Sequence, residues 1–74
     1  MIRLAPRIVA NPEIHSGRPV IEGTRVPVDI IVGHVGAGMP IEAIAEEYGI
    51  AREDVLAAVT YAAQAVAAEE IRAI

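Results

Sequence analysis

M-P-I-E-A-I-A-E-E-Y-G-I-A-R-E-D-V-L-A-A-V-T, from Met39 to Thr60, reads as two helices joined by a tight turn. In its first half Ile41, Ile44, Ala45 and Tyr48 recur at helical spacing, while Glu42, Glu46 and Glu47 fill the other face. Gly49 then supplies the residue most able to take positive φ just past a helix end, and Ile50 can fold back as the apolar contact of such a cap. A second helix is expected from near Ala51, with Arg52, Glu53 and Asp54 in its opening turn, where the helix dipole favours the two acids. Its apolar positions run Val55, Ala58, Val59, Ala62. Small Ala45, Gly49 in the turn and Val55 beyond it have the spacing of a helix-turn-helix, which is also the spacing of many αα-hairpins with no nucleic-acid role.

The length, 74 residues without a linker, is that of one domain, and a chain this short buries only roughly 60% of its unfolded surface. Hydrophobic residues make up 54% but aromatic ones only 3%, so the core must be aliphatic and rich in small alanine. Such a core favours self-association as a way to bury more apolar area. The absence of Cys excludes a disulfide framework and a thiolate zinc site. No apolar run approaches the roughly 18 residues of a membrane span, and M-I-R-L-A-P-R lacks a signal peptide's apolar core, so a cytoplasmic protein without a membrane role is expected.

Charge is unevenly placed. Residues 1–25 carry Arg3, Arg7, Arg18 and Arg25 against Glu13 and Glu22, whereas residues 26–74 carry Arg52 and Arg72 against eight acids. The helical part therefore repels phosphate, and a polyanion would have to meet the N-terminal part or a local arginine.

Around the central stretch, Arg7-Ile8-Val9-Ala10 between Pro6 and Asn11-Pro12 reads as a short strand, and Pro19-Val20-Ile21 and Thr24-Arg25-Val26, split by Glu22-Gly23, read as a small hairpin or ribbon. Pro27 forces Val26 into an extended conformation and suits the first residue of a helix over Val28–Gly36, whose face is Val28, Ile31, Val32 and Val35. Pro40 suits the first turn of the next helix. The last helix is expected from about Arg52 to Arg72, with an apolar seam of Val55, Val59, Ala62, Val66 and Ile71 beside alanines that would let a second copy approach. The expected fold class is thus mainly α: a helix-turn-helix three-helix core in residues 27–74, a short N-terminal β ribbon or arm in residues 1–26, and a long C-terminal helix. A homodimer through Val59, Ala62, Val66, Ile71 and Arg72 is expected.

G-R-P-V-I-E-G-T-R-V-P-V (Gly17 to Val28), A-G-M-P-I-E-A-I-A-E-E-Y-G-I (Ala37 to Ile50) and E-D-V-L-A-A-V-T-Y-A-A (Glu53 to Ala63) together resemble the DUF433 family. That resemblance implies a winged-helix-like core and an antitoxin similar to the VapB type, paired with a PIN-like nuclease toxin. The family often has Thr or Ser before the Glu-Asp pair, a good helix N-cap, where this chain has Ala51-Arg52; losing such a cap costs about 1 kcal/mol.

A DNA-reading role would fall on the exposed side of the second helix, Ala51, Arg52, Glu53, Leu56, Ala57 and Thr60, where Arg52 is the good candidate and Glu53 and Asp54 repel the backbone. Candidate DNA-binding residues are therefore Arg52 and Thr60, with Arg7, Arg18 and Arg25 from the ribbon. Arg25 can instead pair with Glu22 or Asp29, with Gly23 making the turn and Thr24 satisfying backbone groups. The competing class is a protein-interaction module whose acidic surface meets a basic, nucleic-acid-handling partner. Arg72 could reach a nuclease's carboxylates, or be a solvated arginine near a helix C-terminus. Enzyme chemistry has little to build on: His15 is in a loop, His34 is on a helix beside Ile31 and Val35, no acids flank a nucleophile, and no metal or other cofactor is implied. The expected function is an antitoxin that binds and neutralises a PIN-like toxin, with operator DNA as a second partner. The alternative is a stand-alone DNA-binding regulator.

Overall fold

The computed structural model describes residues 1–69. Three strands come first: β1 (Ile2–Ala5), β2 (Ile8–Ala10) and β3 (Val20–Ile21). Three helices follow, α1 (Val28–Gly36), α2 (Ile41–Tyr48) and α3 (Arg52–Ala68). The sheet is antiparallel in the order β1-β2-β3. Pro6-Arg7 turns β1 into β2, with Arg7 at φ 69 behind the proline, the order of a type II turn in which glycine would normally take Arg7's place. Arg3 faces Val9 and Ala5 faces Ile8, and the register shifts between them, so β1 bulges at Leu4.

Alternation along β2 and β3 places Ile8 opposite Ile21 and Val9 opposite Val20. All four side chains are buried. Ile8 and Ile21 join Val28 and Ile31 of α1, Ile44 of α2, and Val55 and Ala58 of α3 in one core. Val9 and Val20 are buried on the sheet's other face. This overturns the mainly α expectation with its winged-helix-like, three-helix core. The molecule is a three-stranded antiparallel sheet followed by three helices, and the sheet is a wall of the core and no appended ribbon. The physical reason is that burying a β-branched side chain yields about 1.5–3 kcal/mol whatever the length of its strand. The expected strand at Thr24–Val26 is also corrected: that segment is the turn after β3, with a single bridge between Val20 and Pro27.

The helices follow their sequence signals closely. Pro27 and Pro40 stand one position earlier than expected, as the extended N-cap residues of α1 and α2 rather than inside the first turn. Gly49 ends α2 at φ 64, ψ 34, and the Ile50 amide returns to the Ala45 carbonyl at 3.0 Å, which is the Schellman closure. Ile50 packs against the core. Ala51, lacking a side-chain acceptor, caps α3 by half of the usual reciprocal pair: its amide donates to Asp54 Oδ2 at 2.9 Å. The missing Thr or Ser therefore leaves the helix start at Arg52. α3 is described as far as Ala68, so its expected extension to Arg72 lies outside the described residues.

Candidate interaction surfaces

The expected DNA-binding arginines do not converge. Arg7, held in its left-handed turn, donates from Nη1 to Asp54 Oδ1 at 2.9 Å. Asp54 is largely buried and uses both oxygens, one for the α3 cap and one for the hairpin tip, so it locks the sheet to the start of α3. Arg18 pairs with Asp29 at the start of α1. Arg52 donates from Nε to Glu42 Oε1 at 3.1 Å, joining the first turns of α2 and α3. Glu42's carboxyl is held below the ordinary glutamate value, first by its own backbone N–H and second by Arg52. Arg3, outside the expected set, pairs with Glu22 at 2.5 Å.

Arg25 departs from its structural expectation. Glu22 is taken by Arg3 and Asp29 by Arg18, and Arg25 has no ion pair among the described residues. Its backbone carbonyl accepts a hydrogen bond from His15 Nε2 at 3.0 Å. The turn around it forms as expected: Gly23 takes φ 79, Thr24 Oγ1 donates to the Ile21 carbonyl at 2.8 Å and accepts from the Val26 amide at 3.0 Å. His15 and Ser16 take positive φ together with Gly17, and this costly turn is tied by the Gly17 amide to the Ile14 carbonyl.

Two surface grooves flank Tyr61 of α3, which lines both. One, of about 360 Å³, lies between the hairpin tip and α3 and brings Arg7 and Thr60 together with Leu56 and Glu53. The other, of about 560 Å³, lies between α1 and α3 and is walled by Val32, Gly33, Ala62, Ala65 and Val66, with Arg18 and Asp29 also on its wall. Arg52 lines neither groove. Of the expected dimer seam, Val55 is fully buried in its own chain's core and is unavailable, Val59 and Ala62 are half-buried, and Val66 is 60% exposed. Ile71 and Arg72 lie outside the described residues.

Gly33 lines a groove wall, a placement that the residue pattern alone did not single out. That placement depends on how α1 meets α3. Asp54's double use was equally hidden, because Arg7 lies 47 positions away.

Among the described residues no three His, Cys, Asp or Glu side chains are grouped as metal ligands would be. His34 is half-buried against Tyr48, with Nε2 and the phenol oxygen 2.7 Å apart, and it links α1 to the end of α2. No described helix is long and apolar enough to cross a membrane.

No curated protein matches the sequence. Among solved structures the chain is similar to the crystal structure of Rv2018 from Mycobacterium tuberculosis, with 31% identity and a TM-score of 0.65 over 70% of this chain. The match spans only 24% of that protein's chain. The family model described as "Protein of unknown function (DUF433)" matches residues 8–62, which takes in β2, β3, α1, α2 and most of α3; the chain belongs to the DUF433 family.

Proposed function

We propose that this chain is a cytoplasmic antitoxin of a type II toxin–antitoxin pair, a binding module that neutralises a basic, PIN-like nuclease. One observation carries the reading. Arg3, Arg7, Arg18 and Arg52 are each paired within the chain, which leaves Arg25 against Glu13, Glu46, Glu47, Glu53 and Glu69 among the described residues without ion pairs. To bind a polyanion, three of the arginines expected to do so would have to exchange an intrachain carboxylate for phosphate. A basic protein requires no such exchange. Glu46, Glu47 and Glu53 are exposed around the α2–α3 turn, where a nuclease surface that ordinarily holds RNA would find complementary charge. Covering that surface denies RNA its access. Operator contact, as a second role, falls to Arg25 and to the basic partner's own surface.

Co-expression with the product of the adjacent reading frame tests the proposal. The two proteins are expected to co-purify at low salt and to separate as salt rises, because exposed charge pairs are screened over about 10 Å at 0.1 M. Failure to associate at low salt would remove the antitoxin reading. A gel shift of the chain's own promoter by the isolated protein at low salt would favour the stand-alone regulator instead.

A further inference from the structure

We infer that the groove between the hairpin tip and α3 receives a lysine or arginine side chain of the basic nuclease partner. The inference rests on the nuclease reading and supplies the apolar half of that contact. Ala5, Ala57 and Tyr61 are half-buried and form the floor of the groove, while Arg7, Glu53 and Leu56 are exposed at its rim. Two charges stand on this wall. Arg7 is already held by Asp54 at 2.9 Å, whereas Glu53 has no ion pair among the described residues, so the groove is left with one unmatched carboxylate. The groove between α1 and α3 differs in that its two charges, Arg18 and Asp29, pair with each other and select no occupant.

A long cation fits what lies between floor and rim. Lysine and arginine lay an apolar stem along apolar surface and keep the charged head in water. Here the stem lies on Leu56, Ala57 and Tyr61, and the head reaches Glu53, three positions before Leu56 on the same face of α3. Leu56 is 36% exposed and stands outside the core, so it has contact area to offer that the fold does not use. Glu53 is in the first turn of α3, across the Gly49 turn from Glu46 and Glu47 in the last turn of α2, so the groove opens beside the acids that steer the partner's approach. A nucleic-acid strand suits the groove poorly, because its phosphates would meet Glu53 and would have to displace Asp54 from Arg7.

Affinity for the purified neighbouring protein, measured at low and high salt, separates the stem from the head. Leu56→Ala should weaken binding about tenfold at both salts, since it removes apolar contact that salt does not screen. Glu53→Gln should weaken it roughly fivefold at low salt and little at high salt. Glu69→Gln, the same loss of charge at the far end of α3, should change neither. All three variants should keep the wild-type far-ultraviolet circular dichroism, because none of these side chains is in the core. A wild-type chain that fails to bind at low salt removes the nuclease reading and this inference with it. A wild-type chain that binds, with Leu56→Ala and Glu53→Gln binding as tightly, overturns the groove assignment and leaves the nuclease reading standing. Equal losses in Glu53→Gln and Glu69→Gln would mean that only net charge is read, and would overturn the assignment as well. Promoter DNA that the isolated chain binds and Leu56→Ala does not would give the groove to nucleic acid, with the same consequence.

Discussion

The sheet and the far half of α3 are opposites in what they do with apolar residues. In β2 and β3, strands of three and two residues, Ile8, Val9, Val20 and Ile21 are all buried. From Ala62 to Ala68, α3 has no fully buried residue, although it is almost wholly apolar. Element length is therefore a poor guide to where this fold gets its stability. The short strands hold β-branched side chains between two covered faces, while the helix runs beyond its core on alanine's intrinsic propensity. The sheet should resist change, and the helix end should tolerate it unless something docks there.

The largest expected effect follows from that contrast. Ile8→Ala should cost about 2–5 kcal/mol in urea unfolding, since it opens a cavity at a site that is 0% exposed. Val66→Ala, at a side chain that is 60% exposed, should stay within about 0.5 kcal/mol. If Ile8→Ala proved as mild as Val66→Ala, the strands would be an arm after all.

Two turns sharpen the comparison, because each sits in left-handed backbone. Gly49→Ala should cost about 1–2 kcal/mol, the penalty of a Cβ at φ 64. At Arg7 the residue already bears that penalty, and its ion pair with Asp54 offsets it. Arg7→Gly should therefore be less destabilising than Arg7→Ala by about 1 kcal/mol or somewhat more, although both lose the same ion pair. Equal effects would mean that the turn relaxes when the side chain is removed.

The smallest effect is electrostatic. Glu42's folded pKa is lowered, so its contribution is fully present above the ordinary glutamate value and is lost as pH falls through the folded value. With both partners of the Arg52 pair exposed, that contribution is slight. A nuclear magnetic resonance titration of Arg52→Ala should raise the Glu42 pKa only part of the way, since the backbone N–H of Glu42 is the larger cause. A full return to the ordinary value would make Arg52 the main cause.

What could be read from the residues was local. α1, the Gly49 stop with Ile50 folding back, and the start of α3 at Arg52 each rest on a signal within a few positions, and each is found where expected. β1 and the burial of the strands were not legible in the same way. Ile2-Arg3-Leu4-Ala5 alternates weakly, and its partner lies across a two-residue turn whose second member is arginine where glycine would announce itself. Ion pairing was the least legible. Arg25 has acids at positions 22 and 29, yet Arg3 and Arg18 reach them from farther along the chain, because strand pairing and the 11–19 loop decide who is near. The split of Arg7 and Thr60 from Arg18 and Arg52 has the same origin.

The central claim is that exposed acids around the α2–α3 turn, and no arginine of this chain, make the contact with the nuclease partner. It is tested most directly by measuring affinity for the purified neighbouring protein with wild type and with Glu46→Lys/Glu47→Lys, over a series of salt concentrations. The account predicts that charge reversal weakens binding at least about tenfold, roughly 1.4 kcal/mol, and flattens its salt dependence. Unchanged affinity in the double variant, together with loss of binding in Arg25→Ala, would contradict it.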